Sequence, residues 1–271
     1  MDDTIRDKVF TAPADGLGGD ALQVWGKDGN VTIERCIFDF RGVPLDNQDE
    51  ALDCIKGAHV RVRGCLFIGC KKAALNGNGD YPAEDRACGE ALYKDCVFID
   101  CGRRCPEAQD GVDVRMEHCW IHNWGVSAFD VRTFGARVSS GASLTAMECL
   151  FSRSRGIGFR NAVVDIANQF GQTVNEYGLA CALAHPLQAA KPGTRRPVDV
   201  GFGGHADAFS CWTNVPGLAF DYAMPMETSQ IRKDVYGIVR EIKDACPDLT
   251  PYLKMPLDEY FVHECGEVWT K

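Results

Sequence analysis

The sequence predicts an all-β fold: a parallel β-helix, a solenoid of short strands with a C-terminal capping or packing helix. Three observations carry that prediction. Five segments of alternating polar and apolar residues each run into a cysteine followed by a large apolar pair. The signature recurs every 23 to 31 residues. No amphipathic helix lies inside the repeating unit, which excludes helical and leucine-rich repeats. Alternation with a period of two marks a half-buried strand, and self-similarity on this length scale marks an array of stacked units.

The segments are Val31–Phe38, Val60–Phe67, Ala91–Phe98, Val112–Trp120 and Leu144–Phe151, with cysteines at Cys36, Cys65, Cys96, Cys119 and Cys149. Successive coils would stack about 4.8 Å apart, so equivalent positions form ladders. The five cysteines are then one interior ladder, in which a free thiol acts as a small hydrophobe. Cys70 and Cys101 each follow a ladder cysteine by five residues and predict a second ladder. Adventitious disulfides are one alternative. Metal or iron–sulfur ligation by Cys96, Cys101 and Cys105 is another, though their spacing fits neither the usual zinc nor the usual cluster pattern.

Past residue 155 the period blurs. Residues 161–178 have room for one or two more coils, and 178–204, with Pro186, Pro192 and Pro197, reads as long loop. Residues 229–246 predict a helix. Ile231, Val235, Ile238, Val239, Ile242 and Cys246 share one face, Thr228 or Ser229 caps it, and Pro247 follows its end. Such a helix suits the open end of a stack, where unpaired strand edges need cover. The whole chain reads as one domain: 1–18 an N-terminal segment, 19–178 the coils, 179–228 loops with a last coil, 229–246 the helix, and 247–271 a tail packed on the outside.

Composition bounds the function. The chain has 271 residues, 45% hydrophobic and 25% charged, which excludes wholesale disorder and collagen-like repeats. No apolar run is long enough to span a membrane, and Met1-Asp2-Asp3-Thr4-Ile5-Arg6 shows no secretory leader. A net charge of -9 argues against a nucleic-acid partner, which needs a basic face. Gly18-Gly19 lacks the helix and lysine of a phosphate loop. His205 and Asp207 read as a loop hydrogen bond, and no Ser/His/Asp nucleophile pattern is recognisable.

The charged residues fall on the same coils. Asp20 opens one, Asp49 and Asp53 lie on the next, Lys72 comes later in that turn, and Arg104 one coil further on. Stacking places such residues within about 5 to 10 Å of each other. Three carboxylates with a lysine and an arginine beside them form a candidate site. The alternative readings are turn carboxylates for Asp20, Asp49 and Asp53, a solvated Lys72, and a loop salt bridge for Arg104.

From about Gly19 to Phe151 the chain resembles the pectate and pectin lyases, polysaccharide lyases with single-stranded right-handed parallel β-helix folds. The resemblance rests on four motifs in order: Gly19-Asp20-Ala21; Asp49 with Asp53; Lys72 with Leu75, Gly77 and Asp80; and Arg104 with Pro106 and Gly111. A weaker echo lies at Phe220-Asp221-Tyr222-Ala223-Met224-Pro225. The resemblance implies calcium-dependent β-elimination of α-1,4-polygalacturonate. Asp20, Asp49 and Asp53 would hold Ca²⁺, with Glu50 able to replace or supplement Asp49. The ion would acidify the proton beside the uronate carboxylate. Lys72 would pair with that carboxylate and Arg104 would abstract the C5 proton, its basicity lowered by neighbouring cationic charge.

The chain departs from the family pattern in three places. Gln109 stands where a second arginine is usual, so that substrate contact is lost or falls to Arg103 or Arg86, with Lys71 completing the cationic set. Ile33-Glu34-Arg35 replaces Ile-Asp-His. Only 19 residues precede Asp20, which predicts a bare first coil, one covered by residues 1–18, or association with a partner through that end. Two function classes follow. One is an active, exported lyase whose partner is an acidic polysaccharide. The other is a catalytically reduced β-helix that binds glycans or builds an assembly.

Overall fold

The computed structural model describes residues 2–13, 19–25, 29–55, 57–77, 82, 84, 89–102, 105–124, 136–138, 143–147, 149–154, 164–166, 173–174, 212–213 and 228–263. The strands come in sets of three. The first layer holds β1 (Asp2–Arg6), β2 (Val9–Phe10) and β3 (Leu22–Trp25). The second holds β4 (Asn30–Glu34), β5 (Ile37–Asp39) and β6 (Glu50–Ile55). The third holds β7 (His59–Arg63), β8 (Leu66–Ile68) and β9 (Lys72–Asn76). Then come β10 (Glu90–Lys94), β11 (Val97–Ile99) and β12 (Glu107–Ala108). The fifth layer is β13 (Asp113–Glu117), β14 (Trp120–Trp124) and β15 (Ala136–Val138). The sixth is β16 (Ser143–Met147), β17 (Leu150–Ser154) and β18 (Val164–Ile166), followed by β19 (Thr173–Val174) and β20 (Trp212–Thr213).

Each strand pairs with its counterpart in the next layer, giving sheets of seven, seven and six strands. Every pairing is parallel. The expected all-β parallel stacking is therefore present. Residues 179–211 and 214–227, expected as loop and a last coil, lie outside the described residues.

The five cysteine segments differ from the expectation in one way: none is a single strand. In the first four the break falls one residue before the cysteine, where the backbone turns left-handed at Arg35, Gly64, Asp95 and His118, with φ of +50° to +58°. Asp7, at +53°, makes the same corner in the first layer. The corners also hydrogen-bond from layer to layer: Asp7 N–H to Glu34 O, Arg35 to Arg63, Gly64 to Lys94 and Asp95 to Glu117. A tight corner leaves room inside for only a small side chain, and cysteine fills it. Cys36, Cys65, Cys96, Cys119 and Cys149 are fully buried. The Cys36 N–H donates to Cys65 Sγ at 3.4 Å, and thiols donate to carbonyls of the layer before, as Cys96 does to Val62 at 3.5 Å. All ten described cysteines carry free thiols. Burial pushes the Cys65, Cys96 and Cys119 thiols well up from their ordinary range.

A second ladder joins Cys70, Cys101 and Cys105 through thiol hydrogen bonds. Cys96 bonds instead to Cys65 and Cys119, so Cys96, Cys101 and Cys105 do not form a common ligand set. Beside the thiols runs an aromatic column. Phe10, Phe38, Phe67 and Phe98 stack with ring centroids 5.0, 4.5 and 4.7 Å apart.

The expected helix is α1 (Thr228–Ala245), followed by α2 (Thr250–Leu253) and α3 (Leu257–Phe261). It does not lie over an end of the stack. Strands β5, β8, β11, β14 and β17 turn Ile37, Leu66, Ile68, Val97, Ile99, Trp120 and Leu150 outward, and these form a second core with Ile238, Val239, Ile242, Cys246, Leu253 and Phe261. Burying each such side chain stabilises by about 1.5–3 kcal/mol, more than covering an end whose first-layer residues are already half-solvated. Polar contacts fix the register. Arg41 donates to Tyr252 O at 2.7 Å, and His118 Nδ1 lies 3.3 Å from Asp95 and 3.1 Å from Glu241. Leu249, Leu253, Leu257 and Phe261 of the following segment join the same second core.

Two outcomes test this packing. Gly64 combines a φ of +58° with a close approach to α1, for a Cβ there would sit 2.3 Å from Ala245 O. Gly64→Ala should cost about 2–4 kcal/mol, more than left-handed strain alone, read as a lower urea midpoint with faster hydrogen exchange in α1. The ten buried thiols should resist a thiol reagent in native buffer and react on unfolding, so native labelling should be confined to the other cysteines.

Candidate functional site

The third sheet positions the charged residues. Glu50, the first residue of β6, pairs in register with Lys72, the first of β9. One step before β3 the same ladder continues, with Ala21 N–H donating to Glu50 O at 3.2 Å. Asp20, Glu50 and Lys72 therefore stand one above another at the start of three successive strands. Asp49 reaches this column from the segment after β5, which contains a one-turn 3-10 helix at Leu45–Asn47. That segment is pegged to the next layer by Gln48, whose Oε1 accepts Lys71 N–H at 2.8 Å and whose Nε2 donates to Val43 O at 2.9 Å. Lys71 Nζ donates to Leu45 O at 3.1 Å, so this predicted substrate contact braces the segment.

One oxygen from each of Asp20, Asp49 and Glu50 lies within 4.8 Å of the others, a group that can hold a metal ion. All three donors are hard carboxylate oxygens, the type that Ca²⁺ takes. The Lys72 ammonium donates to Asp49 and lies 3.2 Å from Glu50 Oε1. Asp53, 1% exposed, stands outside this trio but is tied to it. Gln23 Nε2 donates to Asp53 Oδ2 at 3.2 Å and to Asp20 Oδ2 at 3.4 Å. Asp20 also accepts Glu50 N–H at 3.2 Å. Burial, then the charges of Asp53 and Asp49, push the Asp20 carboxyl up to about 6, against the pull of Glu50 N–H and Lys72. Asp49 and Glu50 thus share the Lys72 ammonium, and a divalent cation would relieve the repulsion that Asp53 and Asp49 exert on Asp20.

Further along the sheet, Asp53 and Glu107 both pair with Leu75 from opposite sides. Glu107 is fully buried, and Gln109 Nε2 donates to its Oε1. The Gln109 side chain is thereby engaged within the protein. Gly77 of the lysine motif has a structural reason: φ is +82°, and a Cβ would come 2.5 Å from Gln109 O. Asp80, Arg86, Arg103 and Arg104 lie outside the described residues. The structure thus brings together Asp20, Asp49, Glu50 and Lys72, with Asp53 linked through Gln23.

Two residues escape the sequence reading, Gln23 and Glu107. Gln23 has the better signal, three residues after Asp20 on an alternating strand. Glu107 carries none, because its burial and its alignment over Leu75 depend on the register between layers.

No family model matches the chain, and no curated protein matches its sequence. Among the described residues no helix is long and apolar enough to cross a membrane.

The Asp20 environment has a sign that can be checked without metal. A carboxyl raised from 3.8 to about 6 contributes stability that is full below pH 3.8 and is lost as pH rises through about 6. In chelator, Asp20→Asn should therefore match wild type near pH 4 and exceed it near pH 8. The gain should be on the order of 1–2 kcal/mol, reduced by solvent screening. Denaturation at the two pH values measures it, and an equal effect at both would contradict this electrostatic account.

Proposed function

We propose that the three sheets close as a right-handed parallel β-helix of the pectate-lyase kind, and that the chain cleaves α-1,4-polygalacturonate by calcium-assisted β-elimination. The carrying observation is the column Asp20–Glu50–Lys72 with Asp49 beside it, which sets hard oxygen donors against an ammonium. The order of the motifs through Arg104 supports it as well. In sequence Arg104 precedes Glu107 by three residues, as Lys72 precedes Leu75, the residue with which Glu107 pairs.

On this reading Asp20, Asp49 and Glu50 hold the cation, and Asp53 adds charge through Gln23. The bound ion would withdraw electrons from a uronate carboxylate and acidify its neighbouring proton. Lys72 leaves its carboxylate partners to pair with the substrate carboxylate, where its charge offsets the negative charge that builds up in the transition state. Arg104 in its neutral form takes the C5 proton, the freed electron pair forms the C4–C5 double bond as the C4–O bond breaks, and the departing oxygen takes a proton from water, giving an unsaturated uronide. Arg86, Arg103 and Lys71 supply background positive charge along a polyanionic chain. The substrate class implies an exported enzyme.

A second reading, a β-helix that binds glycans without cleaving them, draws on two observations. Gln109 is held by Glu107 rather than offered to a ligand, and the Lys72 ammonium is itself held by Asp49 and Glu50. The experiment separating the two is ultraviolet absorbance of unsaturated product with polygalacturonate across alkaline pH. Calcium should give a rise that chelator abolishes. Lys72→Ala and Arg104→Ala should each lower the rate by about 10²-fold or more with the fold retained. No calcium-dependent rise would sink the lyase reading for this substrate.

A further inference from the structure

The first sheet carries a charged outer face for which the metal and proton chemistry has no use. On β7 His59, Arg61 and Arg63 are exposed, while Val60 and Val62 between them are buried. Residues two apart on a strand share a face, so the two arginines rise from one side of the sheet about 7 Å apart. Other cations of this face are paired: Arg6 with Glu34 at 2.6 Å, Lys94 with Glu117 at 3.4 Å and Arg115 with Glu117 at 3.8 Å. Among the described residues the Arg61 and Arg63 side chains have no hydrogen bond or ion pair. Register sets Arg61 in an acid-free row, Thr4, Thr32, Arg61, Leu92 and Arg115, that crosses five strands along the stack. Arg61 and Arg115 stand two strand spacings apart in it, about 10 Å. Arg63 lies in the next row, between Glu34 and Lys94.

We infer that this face is a second binding surface for an acidic polysaccharide, on a different sheet from the Asp20–Glu50–Lys72 column and independent of any metal ion. A linear polyuronate lies along the stack with its carboxylates on Arg61, Arg63 and Arg115. The choice of a polyuronate rests on the reading above. The planar guanidinium fork offers two parallel N–H donors to a carboxylate, and the paired strands hold the arginines at fixed intervals. Charge decides the kind of polyanion. A polyuronate carries one carboxylate per sugar, with uncharged hydroxyls between, so its charges can fall on the arginines and its hydroxyls on Thr32. Duplex nucleic acid carries a charge for about every 1.7 Å of its axis. It would press phosphates on Glu34, Glu90, Asp113 and Glu117 of the same face, in a chain of net charge -9. The surface acts as a tether. A polymer held on the first sheet presents its remaining length to the third at a raised local concentration, and only a chain long enough to reach both gains from it.

The test uses the full chain in chelator, where metal-dependent binding is switched off, and reads its retardation in gels containing polygalacturonate. Wild type should be retarded, and less so as salt rises. The double variant Arg61→Ala with Arg63→Ala should bind about tenfold more weakly, the loss expected of two exposed charge pairs. Arg61→Lys with Arg63→Lys should recover part of it, since the charge persists without the fork. Both variants should keep the circular dichroism of wild type. With calcium, the alanine variant should show a raised KM for the long polymer, with kcat and the KM for a galacturonate trimer unchanged. Retardation lost in the alanine variant, with no product under any condition, keeps the surface and removes the lyase. No retardation in chelator, or retardation indifferent to the double substitution, overturns the surface and leaves the lyase reading standing. Retardation by duplex DNA that falls in the alanine variant, with polygalacturonate ignored, overturns the proposal in favour of a nucleic-acid contact.

Discussion

The backbone ladder between successive layers governs everything else in this molecule. Each strand of the stack bonds to its counterpart one layer on, in parallel and in register. Residues with equal places in the repeat are therefore held one strand spacing apart, about 4.8 Å. That constraint turns a linear recurrence into columns. Phenylalanine falls on phenylalanine, thiol on thiol, and an aspartate, a glutamate and a lysine fall one above another. The inner columns gain packing energy from this arrangement. The outer ones gain local charge concentration, and the site is a product of the second effect.

The corners show how strictly the ladder is enforced. Arg35, Asp95 and His118 accept left-handed backbone, a conformation that costs non-glycine residues about 1–2 kcal/mol. They accept it because the hydrogen bonds on both sides, Arg35 to Arg63 O and Asp95 to Glu117 O among them, have no other geometry. Inside each corner a cysteine is small enough to fit and still donates weakly to a carbonyl of the layer before. A serine would fit as well, but it would bring a hydroxyl that is costlier to bury. On the outer face of the first sheet the same register sets Arg6 against Glu34 at 2.6 Å and Lys94 against Glu117 at 3.4 Å. These exposed pairs are worth less than about 1 kcal/mol each.

What could be read from the chain alone follows from this physics. The cysteine ladder was legible because it repeats a rare residue in every coil, and Asp20, Asp49 and Lys72 were legible through the order of their motifs, although it is Glu50 that shares the register of Asp20 and Lys72. The flank-docked helix was only half legible. The face of Ile238, Val239 and Ile242 announces burial, but its receptor of Leu66, Ile68, Val97 and Ile99 alternates with inward residues and looks like ordinary strand. Least legible were the contacts that depend on register between layers. Glu107 meets Leu75, and Lys72 meets Asp49, only once loops of unequal length have been taken up between strands. The interval between cysteines varies from 23 to 31 residues, and that slack hides the alignment of everything the loops carry.

The segment from Phe40 to Asp49 shows what this slack permits. It leaves the stack after β5 and returns at β6, and Gln48 and Lys71 latch it to the layer beneath. Only Phe40 and Val43 of the segment join the inner core, yet its last residue supplies one of the three carboxylates that can hold a metal ion. Chemistry and scaffold are thus separately inheritable here. A mutation between Pro44 and Asn47 can redraw the site with little effect on the stack, whereas a change at Gln48 unlatches the acid from the frame that aims it. Diversification of such a protein has one cheap hinge to work through.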